Sequence, residues 1–227
     1  MARIGLFGGT YNPIHRGHIA VARQLRKDFP LDRIYLIPSR VPPHKGRSDL
    51  APAVHRLAMI ELALAGVGGE SLLLSDIELQ RKGPSYTVDT VETFREQLTP
   101  DDDLYLIMGA DAFLELDSWR RWRALLAAVS LIVMSRPGSA GMDEGPARRD
   151  WHPLAAYACE HLDGDYRLHA DPWRLAHPRL PPIYFAAVPD WDLSSSQVRR
   201  RLRRGETVKK LVPAKVAAYI ASKGLYQ

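Results

Sequence analysis

The chain has 227 residues, 46% apolar, 25% charged and 8% aromatic, a composition that excludes intrinsic disorder and fibrous architectures. Thirty-one Lys and Arg against 26 Asp and Glu leave a net charge of +5, which suits an anionic partner without choosing between a nucleic acid and a phosphorylated small molecule. The single cysteine excludes an intrachain disulfide and a Cys-rich zinc site, and the longest apolar stretch, Ala124 to Met134, is too short to span a bilayer. No secretory signal pattern or internal repeat is present, so the expectation is one cytoplasmic domain over residues 1–227.

Taken in order, Arg3 to Phe7 is an apolar run stopped by Gly8-Gly9 and reads as a buried first strand. Helical spacing follows over His15 to Phe29, then a strand over Arg33 to Ile37 and a proline-rich loop over 38–50. Ala53 to Ala65 is a predicted helix and Ser71 to Ser75 a short strand. Next come a helix over Thr87 to Leu98, a strand over Leu104 to Met108, a helix over Trp119 to Ala127 and a strand over Leu131 to Met134. Residues 136–150 read as a loop, and 151–180 carry no readable period. Ile183 to Ala187 is a last strand, and Ser195 to Arg203 and Ala214 to Ser222 are helices, with Gly224 a stop. Apolar strands alternating with helices predict an α/β fold with a parallel sheet covered on both faces. Ligands bind such sheets just beyond the carboxyl ends of the strands.

The residues after the first strand are Gly8-Gly9-Thr10-Tyr11-Asn12-Pro13-Ile14-His15-Arg16-Gly17-His18. They make neither a Walker A loop nor a dinucleotide G-x-G-x-x-G. Gly8 and Gly9 are expected to permit close backbone approach and positive φ, and the helix start near His15 offers N–H groups to an anion. His15 and His18, three apart, share a helix face. A tight turn with incidental histidines is the bland alternative, disfavoured because strand, glycines, threonine and two histidines coincide where an α/β sheet binds ligands, and a metal site is disfavoured because the motif holds no carboxylate. In LSSSQVR, hydroxyls at a helix start can cap it or bind an anion, and Arg199 lies four residues after Ser195, on the same side. Asp111, after Gly109 at the end of a strand, can contact ribose hydroxyls or cap a helix.

GTxxPxHxGH resembles the signature of the nucleotidyltransferase superfamily that moves a nucleoside monophosphate onto an acceptor. Together with PSRVPPHK at 38–45, SDIELQRKGPSYTVDT at 75–90, GADAF at 109–113, SWRRW at 118–122 and LSSSQVR at 193–199, the chain resembles the bacterial nicotinate-mononucleotide adenylyltransferase family. That resemblance implies a Rossmann-like, doubly wound parallel sheet flanked by helices, with a small helical part at about 194–227. It implies in-line transfer of AMP from ATP, with Mg²⁺, to nicotinate mononucleotide, without a covalent intermediate. His15 and His18 would be catalytic. Gly8, Gly9, Thr10, Gly109, Asp111, Ser195, Ser196 and Arg199 would join the histidines in binding ATP, and Tyr11, Asn12, Lys45, Tyr86, Thr87 and Trp119 would bind the mononucleotide. The family most often has Phe-Asp where this chain has Tyr11-Asn12, and threonine where it has Ser196; Asn12 puts a carboxylate role there in doubt. Transfer to nicotinamide mononucleotide or phosphopantetheine is the alternative enzyme reading. A basic nucleic-acid-binding protein using Arg199 to Arg204 is the non-enzyme alternative, against which no nucleic-acid module is recognisable.

Overall fold

A computed structural model describes residues 1–40, 50–65, 69, 71–135, 150–189 and 193–227. Lys45 and most of the two predicted loops lie outside the described residues. In chain order the elements begin with β1 (Arg3–Gly9), α1 (Arg16–Asp28), β2 (Arg33–Pro38), α2 (Ala53–Leu64), β3 (Leu72–Leu74), α3 (Ile77–Gln80) and α4 (Thr87–Gln97). They continue with β4 (Asp103–Gly109), α5 (Ala110–Phe113), a 3-10 turn (Leu116–Ser118), α6 (Trp122–Ala128), β5 (Ser130–Met134), α7 (His152–Tyr157) and a π turn (Ala158–Leu162). The last are β6 (Arg167–Ala170), β7 (Trp173–Ala176), β8 (Ile183–Ala186), α8 (Ser195–Arg203) and α9 (Ala214–Ser222). None of the helices is long and apolar enough to cross a membrane among the described residues.

The chain divides into two compact units, and each contains α/β structure. The first comprises Met1–Phe7 and Tyr86–Asp190. Here β1, β4, β5 and β8 pair in parallel, with Ile4 opposite Leu104, Leu106 opposite Leu131 and Ile132 opposite Tyr184. Leu104 through Met108 are all buried, which is why β4 reads as an unbroken apolar run. The expected parallel sheet is thus present and mostly parallel, but β6 and β7 extend it antiparallel beyond β8. The sequence hides this hairpin because Arg167, His169 and Ala170 of β6 are exposed, so no apolar alternation announces a strand.

Two expectations need correction in this unit. Trp119 does not begin a helix: its backbone is extended, Arg121 adopts a left-handed φ of 52°, and α6 starts only at Trp122. The cap of α5 is Gly109, so Asp111 sits inside the first turn rather than at the cap.

Asp102 ties the first strand's entry to the end of α4. Its carboxylate accepts from the Ala2 amide at 2.6 Å and the Thr99 amide at 3.1 Å, and these bonds to the ionised form hold its pKa below the usual value. A carboxyl depressed by folding stabilises the native state above its unfolded pKa and loses that contribution as pH falls through the lowered value. Denaturant unfolding at pH 7 and pH 3 is expected to show a smaller acid loss in Asp102→Asn than in the unsubstituted protein. An equal loss would remove Asp102 from the account.

The second unit comprises Gly8–Ser85 and Trp191–Gln227. β2 and β3 pair in parallel with Ile34 opposite Leu72. α2 packs on both strands and on α9, burying Met59, Ile60 and Ala63 as one helical stripe. α8 and α9 match their predicted bounds at both ends: Ser194 caps the first by accepting from the Gln197 amide at 3.1 Å, and Pro213 precedes the second.

Candidate active site

The turn between β1 and α1 carries the predicted motif, and the second unit gathers side chains around it. Contrary to expectation, neither Gly8 nor Gly9 has positive φ; both are extended at the end of β1, and the left-handed residue is Tyr11, at φ 48°. Gly9 is needed for space instead: a Cβ there would lie 3.1 Å from two atoms of the Tyr11 ring. That ring is 2% exposed and packs edge-on against His18, with centroids 5.0 Å apart. Gly8 is exposed, and a Cβ on it would meet nothing within 4 Å. Gly8→Ala is therefore expected to fold with an unchanged melting temperature. If a nucleotide lies against this backbone, the same substitution will weaken ATP binding at least about ten-fold, roughly 1.4 kcal/mol, as read by calorimetry. Unchanged affinity would move the ligand away from Gly8.

His15 is buried and stands just before α1, while His18 is half-buried in its first turn. Their rings stack with centroids 3.7 Å apart. The His15 amide donates to Nδ1 of His18 at 3.2 Å, so neutral His18 carries its proton on Nε2. The stacked pair thus presents a ring N–H donor where the α1 dipole is positive.

The start of α8 is bound to the same turn. Ser195 Oγ donates to the Pro13 carbonyl at 2.9 Å, and Arg199 donates to the Asn12 carbonyl at 2.8 Å and to Ser196 Oγ at 3.3 Å. Ser194, not Ser195 or Ser196, makes the cap. Two helix N-termini and one guanidinium therefore meet at Asn12–Pro13. Sequence spacing puts Arg199 near Ser195 but does not reveal that both reach back across the chain to this turn.

Asn12 is buried, and its side-chain oxygen accepts from the Ala51 amide at 3.0 Å and the Tyr226 hydroxyl at 2.7 Å. Arg56, 1% exposed, donates to the carbonyls of Ala51 at 3.0 Å, Thr10 at 2.9 Å and Arg40 at 3.4 Å. Burial lowers its pKa. Sequence reasoning missed both Arg56 and Tyr226. Arg56 had one available signal: it occupies the same stripe as Met59, Ile60 and Ala63, a cation on an apolar helix face.

Of the residues expected to bind the pyridine nucleotide, the first unit holds Tyr86, Thr87 and Trp119, whereas Tyr11 and Asn12 are buried in the second and Lys45 lies outside the described residues. Tyr86 precedes α4 and Thr87 begins it, and no side chain caps this helix start. Arg120, adjacent to Trp119, places its guanidinium 4.6 Å from the centre of the Tyr86 ring. Arg121 pairs with Glu92 of α4 at 2.7 Å, fixing the segment that carries Trp119 to that helix. Trp119 is half-buried, whereas Trp122 is buried in the core. Gly109 ends β4, with Asp111 exposed just beyond it.

Among the described residues one metal-competent trio stands out, Asp163, Asp165 and His177. Nδ1 of His177 accepts from the amides of Arg179 at 3.0 Å and Leu180 at 2.9 Å, so Nε2 carries the proton and faces Asp163 at 3.3 Å. A protonated Nε2 is not a metal ligand. The Asp163 carboxyl is instead held below its usual pKa, first by the Asp165 amide and then by His177.

A family model described as cytidylyltransferase-like matches residues 6–201. A probable nicotinate-nucleotide adenylyltransferase of Pelobacter propionicus is 40% identical over 224 residues, 99% of this chain and 98% of that protein. One of Pseudomonas fluorescens is 40% identical over 225 residues, covering 99% and 97%. In structure, nicotinic acid mononucleotide adenylyltransferase of Plasmodium falciparum complexed with NaAD superimposes with a TM-score of 0.71 at 19% identity, covering 100% of this chain and 98% of that one, which shows a shared fold. With this end-to-end likeness, the chain belongs to the cytidylyltransferase-like nucleotidyltransferases and, within them, to the nicotinate-nucleotide adenylyltransferase family.

Proposed function

We propose that the protein transfers AMP from ATP to nicotinate mononucleotide, forming nicotinate adenine dinucleotide and releasing pyrophosphate, within one nucleotidyltransferase domain over 1–227. The observation that carries this reading is the stacked His15–His18 pair at the start of α1, joined through Asn12–Pro13 to Ser195 and Arg199 of α8. The acceptor phosphate is already an anion, so no general base is required. The chemistry reduces to aligning two anions and stabilising charge at the α-phosphorus and on the leaving pyrophosphate. An oxygen of the acceptor phosphate forms a bond to the α-phosphorus in line with the breaking bond to the pyrophosphate oxygen, which leaves with the electron pair.

In this reading His15 and His18 donate to the transferring and leaving phosphates, and the backbone at Gly8, Gly9 and Thr10 lies against them. Arg199 and the start of α8 take the β- and γ-phosphates, with the Ser195 hydroxyl positioning Pro13 and Ser196 positioning Arg199. Gly109 and Asp111 serve the nucleoside. Mg²⁺ arrives on ATP as part of the substrate: the donors at the turn are imidazole, hydroxyl and guanidinium, a set that suits phosphate and not a protein-built magnesium cage. ATP and Mg²⁺ are cytoplasmic supplies, in keeping with the compartment expected from the sequence.

Nicotinate recognition falls to the start of α4 and the segment carrying Trp119. The uncapped start of α4 at Tyr86–Thr87 offers amides to the carboxylate, Trp119 offers an aromatic face, and Arg120 beside Tyr86 adds positive charge that favours the acid over the amide. Lys45 is assigned to the mononucleotide phosphate on resemblance alone. Tyr11 and Asn12 are buried and act on this ligand through the turn they shape. Incubation with ATP labelled at the α-phosphate, Mg²⁺ and nicotinate mononucleotide tests the reaction: label is expected in the dinucleotide. Label found only in free AMP, or remaining in ATP, would contradict transfer.

A further inference from the structure

Tyr226 is the next-to-last residue, yet its hydroxyl reaches Asn12, 214 positions away, at 2.7 Å. The Ala51 amide can only donate, so the Asn12 atom it meets is the oxygen, and the Tyr226 hydroxyl is the second donor to that oxygen. The same residue's main-chain carbonyl holds Arg199. Both Tyr11 and Tyr226 are in the left-handed region, at φ 48° and 66°, a conformation that costs a bulky side chain energy and persists where surroundings over-determine it.

Arg56 supports the same turn from within α2. A buried cation on an apolar stripe is costly to keep, and a hydrophobic residue of similar volume would usually serve stability as well. Its three acceptors are main-chain carbonyls, and one belongs to Thr10. In a trans peptide, drawing the Thr10 carbonyl inward turns the Tyr11 amide to the opposite side. Arg56 and Tyr226 thus hold successive parts of the phosphate-facing turn.

We propose that Tyr226 is a positioning residue for adenylyl transfer, acting through Asn12, with Arg56 fixing the adjoining Thr10 peptide in the same way. The proposal rests on the functional reading above. Without the Tyr226 hydroxyl, Asn12 keeps the Ala51 bond, so the turn persists but its carbonyl no longer sets Arg199 as tightly. Misplacement of that order costs up to about 10²-fold in rate while leaving the fold intact.

The test uses the full chain and compares the unsubstituted protein, Tyr226→Phe, Asn12→Ala and the double variant, measuring kcat, both KM values and the melting temperature. Tyr226→Phe is expected to lower kcat about ten-fold to 10²-fold, a larger change than in either KM, and to melt only about 2–4 °C lower. Because Tyr226 acts through Asn12, the double variant should be no slower than Asn12→Ala alone. Should Asn12→Ala fail to fold, the kcat of Tyr226→Phe decides. An active unsubstituted protein with a Tyr226→Phe variant of equal kcat, or with losses that multiply in the double variant, overturns this proposal alone. An unsubstituted protein that forms no dinucleotide overturns the functional reading and the proposal with it.

Discussion

His18→Ala is expected to lower kcat by about 10²–10³, the usual cost of losing one preorganised donor to a transition-state oxyanion. The loss should fall on kcat more than on KM for ATP, because the ring's Nε2 donor meets charge that grows only as the bond to pyrophosphate breaks. The fold should survive. His18 is half-buried, and its removal costs the bond from the His15 amide, the stacking on His15 and the edge contact with Tyr11, none of which joins two elements of the core. His18→Gln separates donation from ring packing: an amide donor at that position should recover part of the lost rate, and alanine should not. A folded His18→Ala variant with near-normal turnover would remove the ring from the chemistry.

Arg199→Ala should lower kcat/KM for ATP by a comparable factor. The residue donates to the Asn12 carbonyl and to Ser196 Oγ, and in the proposed complex it adds a charged contact to the polyphosphate. A hydrogen bond to a charged group is worth about 1.5–3 kcal/mol, so losing the contact and the turn's anchor together amounts to roughly 10²–10³. Arg199→Lys keeps the charge but not the planar fork that fixes carbonyl, hydroxyl and phosphate in one geometry; it is expected to fall between alanine and arginine. Steady-state kinetics with varied ATP reads the effect. Equal losses for Lys and Ala would mean that geometry, not charge, carries the contribution, and no loss in either would exclude the residue from ATP binding.

The strands and terminal helices were legible in the sequence where burial is complete. β4 is a continuous apolar run because Leu104 to Met108 are all covered, and α8 is delimited by a serine cap and a basic last turn. Residues 151–180 were not legible, because α7 is short, a π turn follows it, and β6 and β7 form a hairpin with exposed polar side chains. The Trp119 helix was misplaced since nothing in SWRRW signals a left-handed arginine at 121. Of the site, the motif and the α8 residues were readable because a strand end, glycines and paired histidines coincide. The supports were not. Arg56 and Tyr226 bond to main-chain carbonyls and one amide oxygen, contacts for which no sequence spacing exists, and they join residues far apart in the chain.

The most direct measurement is pyrophosphate release from ATP and Mg²⁺ with nicotinate mononucleotide, nicotinamide mononucleotide and phosphopantetheine run in parallel. Release is expected chiefly with the first, since in the proposed complex the α4 start and Arg120 favour a carboxylate over an amide. Greater release with the amide would overturn the carboxylate reading at Tyr86–Thr87 while keeping the transfer chemistry. Release with phosphopantetheine alone, or with none of the three from folded protein, would contradict the account.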